Sequence, residues 1–433
     1  MLIKVVKNAF LRWSDLLAQR SGIDINYYIK GGFLTTFGYA MDVASGIIVG
    51  FAFARLIPRE VYGQWQLIQS FWGIASIFAL SGMGPAVIRA VAQGNDGMYK
   101  RGIATVFKWS FLGSLGIAVA SGYYYYYLHE VSYASTLLAL SALFPFSSIC
   151  GYYGNLLFGQ KKLKKLAIFN AYSRLFYTIT VIPLIYFQRE LFPIAFGSVL
   201  IDTTVRGILT FKSLGFIRND NIDKGTVTYG KQISYLKILQ IVADQIDGIL
   251  IASYLGFESL AVYSIARAIP DIIRDLSGRL VNLSIPKISQ WEEDIHNKRF
   301  VKLYTIRLIW FSILIILIYV IICPLLFRIL FPKYLDAIQL SQIYILTFIG
   351  FPATLLGIWF QATKKIRIIS FNYTYSAATQ IILNIFLIPI LGSLGAIIAK
   401  VTNYVTSFII SYLLFIRATN AIQDSQRIHV EKN

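Results

Sequence analysis

Twelve long apolar stretches fill most of this 433-residue chain, and the runs of positive charge fall in the connections on one side of them. A helix that crosses the hydrocarbon of a bilayer needs about 20 apolar residues. The apolar stretches predict such helices at 33–57, 64–89, 103–127, 135–158, 166–187, 191–214, 232–255, 260–286, 304–330, 336–360, 367–389 and 393–416. Only 14% of the residues are charged and 56% are hydrophobic, whereas a soluble domain carries roughly a quarter of its residues charged. The expected fold class is therefore an all-α polytopic membrane protein.

Orientation follows from the alternation of basic residues. The first 30 residues, the connections 89–101, 161–165, 212–231, 287–302 and 364–367, and the tail from Arg417 together hold 26 lysines and arginines; the opposite set holds Arg59, Arg189 and Lys333. Positive loops stay in the cytoplasm, so both termini are expected there. The net charge of +19 sits mostly in these loops, which makes it a topology signal with anionic-lipid contact and gives no reason to expect nucleic acid. No cleavable leader is expected at the start. Instead Ile3, Val6, Phe10, Trp13 and Leu17 recur at steps of three and four, the pattern of an interfacial amphipathic helix over 1–30.

Little suggests catalysis or a cofactor. The chain has no phosphate-binding glycine loop, no HExxH and no Ser/His/Asp arrangement, and His129, His296 and His429 fall in connections or the tail. Cys150 and Cys323 lie within spans and offer neither a disulfide framework nor metal-ligand spacing. The block Tyr123–Tyr127 closes the third helix, where an aromatic belt is expected ahead of a sugar-stacking platform. The loops on the sparsely charged side, 58–62, 128–134, 188–190, 256–259, 331–335 and 390–392, are too short to house a membrane-embedded polymerase or glycosyltransferase.

A shift of 198 residues lays Gly50 on Gly248, Ala54 on Ala252, Glu60 on Glu258 and Trp65 on Tyr263. Six helices separate the copies, so both cross in the same direction. The reading is two parallel, pseudo-repeated six-helix lobes, at 31–215 and 232–417, joined by a link at 216–231 and followed by a tail at 418–433. Such lobes enclose a midplane cavity in many transporters.

Ionisable residues inside spans cost about 2.5–3.5 kcal/mol each on insertion scales and normally face a polar interior. Here they are Asp42, Lys108, Arg174, Asp202, Arg206, Lys237, Asp244, Asp247, Arg267, Asp271, Arg274, Asp275, Arg279 and Lys400, eight cations against six aspartates. Lys237, Gln240, Asp244 and Asp247 share one helix face, and Arg267, Asp271 and Arg274 another. Asp202 with Arg206, Arg267 with Asp271, and Asp275 with Arg279 have the spacing of structural ion pairs. Arg174, Lys237, Arg274 and Lys400 have no such partner four residues away. The surplus predicts a central cationic cavity suited to an anion such as phosphate.

The segments LIPREVYGQWQLIQSFWGIASIFALSGMGPAVIRAVAQ and DQIDGILIASYLGFESLAVYSIARAIPDIIRDL, with the helix count and the charged interior, resemble the multidrug/oligosaccharidyl-lipid/polysaccharide flippase superfamily. Within it the chain is similar to the polysaccharide-transporter branch that includes the O-antigen flippases; lipid II flippases of the superfamily generally carry two further helices. The resemblance implies a V-shaped pair of lobes in a bacterial inner membrane, moving undecaprenyl-pyrophosphate-linked oligosaccharide to the outer leaflet for O-antigen, capsule or exopolysaccharide synthesis. Arg174, Arg206, Lys237, Arg267, Arg274 and Lys400 would then hold the pyrophosphate. Asp42, Asp202, Asp244 and Asp247 would couple transport to H+ or Na+. A polymerase and assembly proteins are implied partners. Two other readings compete: a multidrug/cation antiporter of the same superfamily, which needs an anionic or apolar cavity, and a non-transporting membrane scaffold, which needs no midplane charge.

Overall fold

A computed structural model of the protein describes residues 25–282, 295–363 and 365–431. The amphipathic helix expected on Ile3–Leu17 lies outside the described residues, as do Lys287 and Lys364. Among the described residues the chain is helical, with no strand. Nine helices there are long and apolar enough to cross a membrane.

The order is α1 (Ile25–Leu56), α2 (Arg59–Ala75), α3 (Met83–Ala92), α4 (Met98–Tyr126), α5 (Val131–Ile149), α6 (Tyr153–Gly159), α7 (Leu163–Phe187) and α8 (Leu191–Ser213). There follow α9 (Gly225–Asn282), α10 (Ile295–Leu330), α11 (Ala337–Tyr344), α12 (Ala353–Ala362) and α13 (Ile366–Glu431). Two of these are helix pairs running on through one residue: α9 breaks at Gly256 (φ 82°, ψ 176°) and α13 at Gly392 (φ 61°, ψ −140°). Both angles lie where L side chains are strained. The 198-residue shift puts Gly256 on Pro58, the break between α1 and α2.

Three predicted helices are interrupted. Residues 64–89 divide at 76–82, where short i→i+3 bonds (Ala79 N to Ser76 O, Leu80 N to Ile77 O) tighten the turn and Leu80 takes a left-handed conformation at φ 52°. Pro85 has no N–H to bond the carbonyl four residues back, so it fits the first turn of α3 but not the continuation of α2, and Gly82 and Gly84 weaken the helix at the same place. Residues 135–158 divide at Gly151 (φ 93°), and 336–360 pass through a 3₁₀ segment at Ile345–Gly350. Apolarity reads through all three breaks, because all that lies in hydrocarbon stays apolar whether or not the helix is continuous.

Within the first eight helices, α4 packs on α5, α1 on α7 and α5 on α8; among the later ones, α9 packs on α13 and α10 on the 3₁₀ segment. Contacts between these two sets are concentrated on α9, which runs along α2 and α3. Small residues let the backbones approach there. A Cβ on Gly63 would run into the Phe257 carbonyl, and one on Gly82 would lie 2.5 Å from the Gly230 oxygen. Beside it the Gly82 N–H donates to the Ser234 hydroxyl at 2.9 Å.

Candidate functional site

Two polar chambers flank α2, one at its seam with α9 and the other between α2 and the helices α5, α7 and α8. The larger, about 480 Å³, is lined on the α2 side by Tyr62, Gln66, Gln69, Ser70 and Trp72, and on the α9 side by Asp244, Asp247, Tyr263, Ser264, Arg267 and Asp271. The smaller, about 340 Å³, is lined by Trp65, Gln69, Trp72, Ser147, Arg174, Tyr177, Ser198 and Asp202. Gln69 and Trp72 belong to both walls, so the chambers adjoin across α2. The Ser198 hydroxyl faces the smaller one without a hydrogen-bond partner.

Three residues of the larger chamber's wall, Asp247, Arg267 and Asp271, belong to a chain of alternating charge that continues behind it to Lys400 and Arg274. Asp247, 1% exposed, accepts from the Tyr263 hydroxyl at 2.5 Å, from Lys400 at 3.1 Å and from Arg267 at 3.3 Å. Arg267 continues to Asp271 through Nε at 3.0 Å. Asp271 in turn binds Arg274 and accepts from the Tyr344 hydroxyl at 2.9 Å. Arg274 lies over the Tyr404 ring at 4.6 Å and Arg267 over the Tyr263 ring at 5.5 Å. Each ion thus has an opposite charge and a polar or aromatic neighbour, the condition under which buried charge is tolerated. Asp244 differs: Gln240 donates to it at 2.9 Å, and it forms no ion pair among the described residues.

Across α2, Arg174 on α7 reaches Asp42 on α1 through Nε at 2.6 Å. One turn further, Ser45 and Thr178 hydrogen-bond at 2.6 Å between the same two helices. Arg206 pairs with Asp202 at 3.0 Å within α8.

The spacing-based pairs Asp202–Arg206 and Arg267–Asp271 are thus present. Of the four cations without a partner at that spacing, three are paired: Arg174 with Asp42, Lys400 with Asp247, and Arg274 with the nearby Asp271. Lys237 is exposed and forms no ion pair among the described residues. It lies two turns from Asp244 on the same face of α9, about 10 Å along the axis. The expected surplus of positive charge is not found in the chamber walls. Lys108 and Lys237, which supply the excess of eight over six, are both exposed and line neither chamber. The chambers and their paired neighbours hold Asp42, Asp202, Asp244, Asp247 and Asp271 against Arg174, Arg206, Arg267, Arg274 and Lys400, a balanced set.

Sequence reasoning overlooked the α2 wall and the tyrosines. Tyr62, Gln66, Gln69, Ser70 and Gly73 recur at steps of three and four, a polar stripe as readable as the one on α9. Tyr344 and Tyr404 carry no such signal. They join the site through tertiary packing.

Residues 52–339 match the family described as polysaccharide biosynthesis protein, and the chain belongs to that family. No curated protein sequence matches the chain. Among solved structures it is similar to the lipid II flippase MurJ in an inward closed conformation, at 14% identity and TM-score 0.66 over 89% of this chain and 87% of that one. It is also similar to an inward-facing multidrug resistance MATE family transporter, at 10% identity and TM-score 0.62 over 88% and 95%. A third, from Pyrococcus furiosus and described as a MOP superfamily transporter with reversed polarity of its binding pocket, aligns at 12% identity and TM-score 0.61 over 92% and 96%. At these identities the likeness establishes the fold, that of the MOP superfamily transporters.

Proposed function

We propose that the protein is a flippase that carries a polyprenyl-pyrophosphate-linked oligosaccharide from the inner to the outer leaflet of a bacterial cytoplasmic membrane, during synthesis of O-antigen, capsule or exopolysaccharide. The observation that carries this reading is the alternating chain Lys400–Asp247–Arg267–Asp271–Arg274, whose Asp247, Arg267 and Asp271 line a chamber at the α2–α9 seam. Family membership points the same way.

A set of charges balanced between the wall and its paired neighbours suits an anion that arrives and leaves. Free cations would hold a pyrophosphate too tightly to release it, while paired ones exchange one anionic partner for another. Guanidinium groups have five N–H donors each, so Arg174, Arg206, Arg267 and Arg274 can fork onto phosphate oxygens as their aspartates let go. Lys237 lies on the approach to the chamber and meets the headgroup first. The lobes, 31–215 and 232–417, rock about the α2–α9 seam. Sugars and phosphates then cross within protein while the polyprenyl tail stays in lipid, avoiding the desolvation that an unaided crossing costs. Asp244, the chamber carboxylate with no ion pair, couples the cycle to H+ or Na+; Asp42, Asp202 and Asp247 have cationic partners to exchange with it.

One observation favours a cation antiporter: Asp244, Asp247 and Asp271 line the larger chamber against Arg267 alone. Two of those three are engaged by Arg and Lys, which leaves Asp244 for a lipophilic cation. The readings part on Arg174→Ala and Arg267→Gln. In cells whose surface glycan depends on this protein, the flippase reading expects glycan export to fall at normal protein abundance, with Arg174→Lys restoring it only in part. Normal export with Arg267→Gln and Arg174→Ala, together with drug efflux that fails in Asp244→Asn, would replace it by the antiporter.

A further inference from the structure

A second cluster of charge lies far along the chain from the chamber residues of α9, and the transport reading does not use it. The connection between α6 and α7 carries Lys161, Lys162, Lys164 and Lys165, and its shape is fixed. Lys161 takes a left-handed conformation at φ 57°, and the Lys162 N–H closes onto the Leu157 carbonyl at 2.8 Å. The adjoining Gln160 side chain donates to Asp96 at 2.6 Å and to the Phe216 carbonyl at 2.9 Å. Asp96, 1% exposed, also accepts the Arg218 backbone N–H at 2.9 Å. One buried carboxylate thereby ties the lysine loop to the segment that carries Phe216 and Arg218.

The cations converge on that segment. Lys165 lies 4.1 Å and Lys162 5.3 Å from the centre of the same Phe216 ring. Partial burial, with Arg218 and Lys165 close by, pushes the Lys162 ammonium down from the ordinary lysine range. None of Lys161, Lys162, Lys164, Lys165 and Arg218 forms an ion pair among the described residues. Asp96 offsets part of the downward push by attracting Lys162 without forming an ion pair, and Asp220 pairs with Lys100 at 2.9 Å, so five cations here stand against one carboxylate not paired elsewhere. Crowded, unpaired like charges on a rigid loop repel one another, and an anion between them removes the repulsion.

The loop joins spans ending at Gly159 and beginning at Leu163, the depth of lipid headgroups. Phe158, just before the loop in the chain, is 48% exposed, and Phe211, one helical turn and a little more before Phe216, is 76% exposed. We propose that Lys162 and Lys165 against the Phe216 ring, with Arg218 close by and Lys161 adjoining in the loop, form a binding site for the phosphate of a membrane lipid, separate from the transport chamber and independent of the flippase reading. The phosphate comes either from an anionic glycerophospholipid or from a polyprenyl pyrophosphate.

The test is native mass spectrometry and lipid titration of the full chain, in detergent with 0.3 M salt so that diffuse attraction is screened. The probes are dioleoylphosphatidylglycerol, undecaprenyl pyrophosphate and, as neutral reference, dioleoylphosphatidylcholine. Lys162→Gln/Lys165→Gln weakens binding of at least one anionic probe by about thirtyfold, the effect of removing two surface cations, and Arg218→Gln weakens the same probe. The control pair Lys212→Gln/Lys224→Gln, exposed cations flanking the same segment, changes it less than about threefold, because charges that do not touch the phosphate are screened at this salt. Preference for undecaprenyl pyrophosphate over phosphatidylglycerol identifies the first as the source, and the reverse preference the second. Equal losses in the two pairs, no loss in either, or equal retention of phosphatidylcholine overturns the site. All five positions are partly or fully exposed, and a matching thermal transition for each variant confirms that it is folded.

Discussion

Asp247 holds two cations, and the asymmetry of its partners makes a quantitative prediction. Asp247 is 1% exposed and Lys400 7% exposed, and Asp247 is the only ion-pair partner of Lys400 among the described residues. Arg267 by contrast has Asp271 as well. Asp247→Asn therefore strands a buried ammonium, a loss of about 3–5 kcal/mol for a buried pair broken on one side. Lys400→Gln strands nothing, since Asp247 keeps Arg267 and the Tyr263 hydroxyl, and its cost is that of a lost charge-assisted hydrogen bond, about 1.5–3 kcal/mol. The double variant removes both ions together, so it costs less than the sum of the singles by more than the cost of Lys400→Gln alone, about 1.5–3 kcal/mol, and therefore less than Asp247→Asn. Thermal unfolding of the purified protein in one detergent, with the four members of the cycle side by side, reads this order: wild type highest, Lys400→Gln next, and Asp247→Asn lowest with the double variant above it. A Lys400→Gln protein less stable than Asp247→Asn, or strict additivity in the double variant, would refute the pairing.

Three further outcomes follow from the same geometry. Single cysteines at Lys162 and Asn221 react only with membrane-permeant thiol reagents, while those at Glu60, Arg189 and Glu258 react with impermeant reagent from outside; outside labelling at Lys162 would invert the topology. Asp244→Asn lowers gradient-driven transport without lowering protein abundance, because no ion pair is broken, and unchanged transport across a range of pH would remove Asp244 from coupling. Gly63→Val jams the α2–α9 seam against the Phe257 carbonyl, so it costs several kcal/mol of the kind seen on overpacking and shows as reduced abundance, whereas Gly116→Val, with open space at its Cβ, leaves abundance unchanged.

The helices were legible because the bilayer imposes length and apolarity on each, and the short connections at 127–130, 188–190 and 331–336 fall where charge and turn residues gather. The breaks at 76–82 and Gly151 were not, since apolarity alone cannot tell a kinked span from a straight one. Spacing reveals partners on one helix, and it found Asp202–Arg206 and Arg267–Asp271. It cannot reveal Asp42–Arg174 or Asp247–Lys400, whose members lie 132 and 153 positions apart. The expected cationic surplus fails for a related reason. Depth along a span can be counted from sequence, but whether a side chain reaches a cavity is set by its neighbours, and Lys108 and Lys237 line neither chamber.

The central claim, that this chain moves a lipid-linked anionic glycan across a bilayer through the α2–α9 chamber, is tested most directly in proteoliposomes. Purified protein is reconstituted with a fluorescent polyprenyl-pyrophosphate oligosaccharide, an ion gradient is applied, and the fraction of headgroups reached by an externally added glycan-modifying enzyme is followed over time. The account predicts accessibility that rises with wild-type protein beyond protein-free vesicles, depends on the gradient, and falls to the protein-free rate with Arg267→Gln. A wild-type rate equal to that of protein-free vesicles, while the same vesicles take up a lipophilic cation in a gradient-dependent way, would contradict it.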